Sequence, residues 1–138
     1  MKRHPQLQGL SREHHGALKL ARAARQAAES GNAEDVAALA RRVVDRFAAE
    51  LDPHFRVEES GILVALARAG ETALVQRTLK EHAELRALAG AFSSAEATEA
   101  TEATEATMLS RFADLLASHV RFEERELFEA AQSLMAAA

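Results

Sequence analysis

The chain contains no cysteine, no tryptophan and no tyrosine, and only two prolines and six glycines among 138 residues. Without cysteine there is no disulfide framework, no thiolate metal site and no thiol redox step, which argues against a thiol-coupled repair enzyme and fits a reducing compartment. Without tyrosine there is no phenolate or tyrosyl-radical chemistry. Long apolar runs are also missing: the longest, "ILVALA" at Ile62–Ala67, is far too short to span a membrane. The opening "MKRHPQLQGL" lacks the apolar stretch of a secretory signal, so the expectation is a cytoplasmic protein. No basic stripe interleaved with aromatics suggests nucleic acid. The formal charge of −4 equals the contribution of Glu96, Glu99, Glu102 and Glu105 alone; the rest of the chain balances.

What is present is alanine, leucine and charged residues, a composition that favours helix nearly everywhere. The length suits a single domain over residues 1–138, with residues 1–10 as an N-terminal arm that includes an exposed His4. Ser11 is the expected N-cap of a first helix stopped at Gly31. A second helix runs from about Glu34 to Gly70, kinked or divided at Pro53. A third covers about Glu71 to Phe92, and a fourth ends near Met135. Between the last two lies a strict triplet repeat, "EATEATEATEAT" at Glu96–Thr107. Residues 93–107 are expected to form a solvated connection. The capping-box pattern of Ser93 and Glu96 leaves open that part of the repeat extends the fourth helix.

Each helix carries an apolar stripe at the helical period, and each stripe is interrupted by histidine. The stripes read Leu10, His14, Leu18, Ala21; Phe47, Leu51, His54, Glu58, Ile62, Ala65; Val75, Leu79, His82, Leu85, Ala89; and Phe112, Leu115, His119, Glu123, Leu127, Ala131. Two of them contain near-copies of one phrase, "HFRVEESGIL" at His54–Leu63 and "HVRFEERELF" at His119–Phe128. Short connections make successive helices antiparallel. His14 lies 17 residues before the Gly31 turn and His54 23 after it; Glu58 and His82 each lie 12 residues from Gly70. From His82 to His119 is 37 residues, close to the 40 from His14 to His54, so at about 1.5 Å per residue the four histidines can meet in one layer. The expected fold is therefore all-α, an antiparallel up-down-up-down four-helix bundle with a metal centre in its core.

Residues four apart share a helix face, so His54 points with Glu58 and His119 with Glu123. One such pair on one helix is ordinarily a surface contact, and one stripe histidine is ordinarily a satisfied core residue. Four coincidences at one level change that balance, because buried carboxylates need a partner or a metal. Imidazole with carboxylate suits iron, manganese or zinc. Two carboxylates among four imidazoles suit two ions with shared glutamates.

The phrases "SREHHGAL", "HFRVEESGIL", "EHAELRAL" and "HVRFEERELF" together resemble the motifs of the hemerythrin family, in its bacterial branch of HHE cation-binding domains. Ferritin-like di-iron bundles use Glu-x-x-His instead. The resemblance implies a non-haem pair of iron ions with an oxo or hydroxo bridge. His14 and His54 would hold one ion, His82 and His119 the other, and Glu58 and Glu123 would bridge them. His14 is preferred to His15 because it continues the Leu10/Leu18 stripe and follows Glu13. Glu59 and Glu124 lie about 100° round their helices and are expected to support the ligands or face solvent. Phe47, Phe55, Phe112, Phe122 and Leu127 are candidates for the apolar lining.

One position departs from the resemblance. Oxygen-carrying hemerythrins place a fifth histidine one turn before the third-helix ligand, where this chain has Thr78. The implied function is binding of a small molecule (oxygen, nitric oxide or peroxide) for sensing or for defence against oxidative or nitrosative stress. Two others are compatible: an enzyme disproportionating peroxide or reducing oxygen or nitric oxide, and an iron storage or supply protein. A redox partner protein or a homodimer is compatible with each.

Overall fold

The structure, a computed structural model, describes residues 3–93 and 102–137. Four antiparallel rods form the bundle. The first is α1 (Pro5–Glu29). The second joins α2 (Ala33–Arg46), a π-helical segment (Phe47–Leu51), α3 (Asp52–Ser60) and α4 (Ile62–Arg68). The third is α5 (Thr72–Ser93). The fourth joins α6 (Glu102–Phe122), a second π segment (Glu123–Leu127) and α7 (Phe128–Ala137). No strand occurs among the described residues, and no helix there is long and apolar enough to cross a membrane.

Local chemistry explains the boundaries. Asn32 caps α2 by accepting from the amides of Glu34 and Asp35. Gly31 (φ 67°) and Gly70 (φ 88°) take the left-handed conformation at the two turns, which other residues enter only at a cost. Pro53 sits in the first turn of α3, where its missing N–H matters least. Just before it the ladder widens: the Asp52 amide donates to Phe47, five residues back. The rod is divided again at Gly61 (φ −118°, ψ −95°), a break the sequence did not announce.

Two expectations for the chain ends change. Pro5–Leu10, read above as part of an arm, are the first turns of α1. Their N-cap is His4, whose Nδ1 accepts from the Gln6 amide at 3.2 Å, while its own amide donates to Gln132 Oε1 at 3.0 Å. Ser11 is thus inside the helix, not its cap. The last triplets of the repeat, from Glu102, belong to α6. Glu96, and with it the capping-box expectation, lies outside the described residues.

Two stripes are also re-phased. On α5 the buried positions are Thr78, His82, Leu85 and Ala89, while Leu79 is 44% exposed. Thr78 can face inward because its hydroxyl donates to the Leu74 carbonyl at 2.7 Å. On the second rod the Gly61 break turns Leu63 and Leu66 inward and Ala65 outward.

The interior divides into two apolar clusters. One gathers Ala17, Leu20, Phe47, Leu51, Phe55, Leu85, Phe112, Leu116 and Val120 with their neighbours. The other gathers Leu7, Leu10, Ile62, Leu63, Leu66, Phe122, Leu127 and Phe128. Along every rod the expected histidine lies between members of the two, so a polar layer separates them.

Candidate metal centre

That layer contains His14, His54, Glu58, His82, His119 and Glu123, all at most 5% exposed. His15 is exposed, so the first phrase directs His14 inward, as its stripe suggested. The six side chains form two groups sharing both glutamates: His14 and His54 with Glu58 and Glu123, and His82 and His119 with the same pair. Within each group the candidate ligand atoms all lie within 4.8 Å of one another.

The carboxylates face both ways. Glu58 Oε2 lies 3.2 Å from His54 Nε2, and its Oε1 lies 3.1 Å from His82 Nε2. Glu123 Oε1 lies 2.8 Å from His14 Nε2 and 3.7 Å from His54 Nε2. Its Oε2 lies 2.9 Å from His119 Nε2 and 3.5 Å from His82 Nε2. Each glutamate thus gives one oxygen to each histidine pair. The i, i+4 relation within His54–Glu58 and His119–Glu123 supplies half of this geometry, and antiparallel packing supplies the rest.

Behind each imidazole stands a second carboxylate. Glu13 accepts from His54 Nδ1 at 2.8 Å, Glu59 from His82 Nδ1 at 2.8 Å, Glu81 from His119 Nδ1 at 2.7 Å and Glu124 from His14 Nδ1 at 2.6 Å. The contacts form a ring: the first rod serves the second, the second the third, the third the fourth, and the fourth the first. A carboxylate that holds the proton on Nδ1 leaves Nε2, the atom that faces the layer, as the nitrogen a metal would take. Three of these carboxylates have cationic support. Arg86 grips Glu59 through two bonds of 2.8 and 3.0 Å and also bonds Asp52 at 2.8 Å. Arg77 bonds Glu81 at 3.1 Å, and Arg3 pairs with Glu124 at 3.1 Å. Ser11, the displaced cap, donates to Glu124 as well.

Aromatic rings hold the imidazoles from the sides. Phe55 stacks on His82 with centroids 3.9 Å apart, and Phe128 stacks on His14 at 5.2 Å. Phe47 packs edge-on against Phe55, and Phe122 lies against His119. Phe112 and Leu127 are buried in the two apolar clusters. Phe128 was not among the residues expected to line the site; Glu13 and Glu81 were not anticipated as supports. The signal for these two was present, since each immediately precedes a layer histidine. A neighbour in sequence points about 100° away on a helix, toward the next rod.

Burial disfavours charge on all six inner groups, but their contacts redistribute it. For His54, burial is outweighed by Glu123, Glu58 and Glu13, raising it to about 11. His119 is raised to about 9 against burial by Glu123 and Glu81. His14 and His82 are raised in the same way. Glu58 is raised by burial and by the charge of Glu123. Glu123 is held well below the usual carboxylate range because, against burial, all four imidazoles approach it.

Do these residues fit a pair of ions? Among the described residues, the buried side-chain atoms without a hydrogen-bond partner are His54 Nε2, both oxygens of Glu58, His82 Nε2, His119 Nε2 and Glu123 Oε2. Every one belongs to the layer. They are close enough to touch but are not aligned for hydrogen bonds; they converge on points between them. Buried orphans of this kind are normally costly. Atoms at right angles on one ion, each about 2.1 Å from it, lie about 3 Å apart, close to the spacings here. Imidazole and carboxylate without thiolate is a donor set for iron, manganese or zinc. The fit is good.

A model of the family described as "Hemerythrin HHE cation binding domain" matches residues 7–131, a span that includes all four layer histidines and all six glutamates around them. Comparison with curated proteins returns no match, and neither does comparison with solved structures.

Proposed function

Since this chain belongs to the hemerythrin HHE cation-binding family, we propose that its buried layer holds two iron ions. His14 and His54 ligate one, His82 and His119 the other, and Glu58 and Glu123 bridge them. One observation carries this reading: each buried glutamate directs one oxygen at each histidine pair, and apart from His14 Nε2 and Glu123 Oε1, which bond each other at 2.8 Å, the facing atoms lack hydrogen-bond partners. An iron pair supplies reversible ligand binding or electron transfer toward oxygen, nitric oxide or peroxide.

The chain's own contribution is fixation and exclusion. Glu13, Glu59, Glu81 and Glu124 hold the Nδ1 protons and aim the opposite nitrogens inward. Phe55 and Phe128 restrict rotation of His82 and His14 by stacking on them. The two apolar clusters keep bulk water from both sides of the layer. The function these features suit is binding of a small ligand, for sensing or for protection against oxidative or nitrosative stress.

A second reading, turnover of peroxide, oxygen or nitric oxide, is favoured by Thr78. It is fully buried and its hydroxyl is committed to the Leu74 carbonyl. The position that carries a fifth histidine in the oxygen carriers therefore offers no strong ligand. Storage or supply of iron fits less well, because ligands locked by an outer ring suit a resident ion more than a cargo.

The test is iron content and visible absorption of the purified protein, with and without peroxide. Two irons per chain with an oxo-bridge charge-transfer band are expected. A stable new band on peroxide addition supports binding; rapid peroxide loss with oxygen release supports turnover. No iron and no band after anaerobic reconstitution with ferrous iron sinks the proposal.

A further inference from the structure

A cavity of about 480 Å³ lies between α1 and the second rod around the first π segment and α3. His14, His54 and His119 form its floor, and Gly16, Ala17, Ala49, Leu51, Leu116 and Val120 are among its walls. Glu58, Glu123 and His82 do not line it, so its volume is not simply the space between the six inner side chains. It falls within the range of small-molecule sites. It is also about sixteen times the roughly 30 Å³ taken up by one water molecule, the size class of a diatomic.

The walls are small or apolar because the sequence places Gly16 and Ala17 opposite Ala49. A Cβ added to Gly16 meets nothing within 4 Å, so this wall has room that a side chain would occupy. The mouth carries three charged groups. Glu50 is taken by Arg46 at 2.8 Å and Glu13 by His54 at 2.8 Å. Arg12 makes no ion pair among the described residues. Glu13 keeps its charge beside a neutral, metal-bound His54 and balances Arg12 at the mouth, so the positive charge that would hold a carboxylate head is that of the iron at the floor.

We propose that this cavity binds a small organic carboxylate, its oxygen head toward the His14/His54 ion and its apolar tail against Ala17, Ala49 and Leu116. The inference rests on the iron assignment above. Both the size of the cavity and its apolar walls select for a tail, which oxygen, nitric oxide and hydrogen peroxide lack.

The experiment titrates the iron-loaded protein with straight-chain carboxylates from acetate to octanoate, following visible absorption and heat of binding, with azide as a tail-less control. Affinity is expected to rise about fourfold per methylene, the increment for burying one CH₂, and to level off when the cavity is full. Gly16→Leu is expected to abolish that rise while azide and acetate bind unchanged; Ala49→Phe, at an exposed position, provides a second variant filling the same space. Azide binding with a flat carboxylate series overturns this inference and leaves the iron pair intact. A rise of equal slope in both variants places the tail elsewhere and also overturns it. Absence of both iron and any azide-induced band sinks the iron assignment, and this inference with it.

Discussion

Glu123→Gln keeps the size of the side chain and removes its charge. Glu123 lies within 3.7 Å of all four layer imidazoles, so its loss is felt in both histidine pairs. Removing even a partner one step behind a ligand typically costs 10- to 100-fold in metal affinity. Loss of a bridging carboxylate should cost at least that much at each ion, about 1.4–2.8 kcal/mol twice over. The expected outcome is a fall from two irons per chain to well under one, with both lost together and the oxo-bridge band gone. The assay is iron per folded chain after anaerobic reconstitution and desalting, with circular dichroism to verify helix content. His15→Ala should keep both ions because that side chain is exposed; His82→Ala should weaken one ion first. If Glu123→Gln retains one full iron per chain, the glutamate does not bridge, and the two-sided geometry has been misread.

Two further predictions separate the outer ring and the protons. Glu81→Leu removes the acceptor for His119 Nδ1 and should weaken the His82/His119 ion about 10- to 100-fold while sparing the other, as read by competition with a chromophoric chelator. Equal loss at both ions would contradict the assignment of partners. The raised His54 and His119 values make protons compete with metal, so iron loading near pH 7 should release protons and strengthen as pH rises. For the metal-stripped protein the sign is opposite. A raised folded value stabilises fully below the unfolded pKa of about 6.5. That stability is lost as pH rises through about 9 for His119 and about 11 for His54. Melting temperatures of the stripped protein should therefore fall between pH 7 and 11; a flat or rising series would refute the charge assignment.

The bundle and its inner layer were legible because they depend on period. Alanine-rich stripes at the helical repeat require helices, and the spacings of His14, His54 and His82 from Gly31 and Gly70, with that of His119 from His82, point to one level. Features that depend on backbone detail were not legible. Gly61 breaks a rod within an ordinary helical pattern, and the second π segment begins at Glu123 without any proline to announce it. Leu79 and Thr78 compete for one inward position. The threonine takes it by satisfying its hydroxyl on its own helix, a local bond that a polarity pattern does not register. Pro5 looked like a tail because Ser11 looked like a cap; His4 performs the capping with a ring nitrogen. Glu13 and Glu81 lie outside the i, i+4 pattern of a single helix, because residues adjacent in sequence to a layer histidine make their contacts with the next rod.

The ring of outer glutamates has a topological consequence. Because the fourth rod serves the first as each earlier rod serves its successor, the circuit has no starting member, and the order of the rods along the chain matters only as a cycle. Arg3 bonds Glu129 at 2.9 Å, and the His4 amide bonds Gln132, so residue 3 lies about 12 Å of helix from residue 137. A chain rejoined there by a short linker and opened at the Gly31 or Gly70 turn keeps every donor–acceptor pair of the circuit. In graph terms the site is a closed loop laid across the rods, and cutting a turn between two rods removes none of its edges.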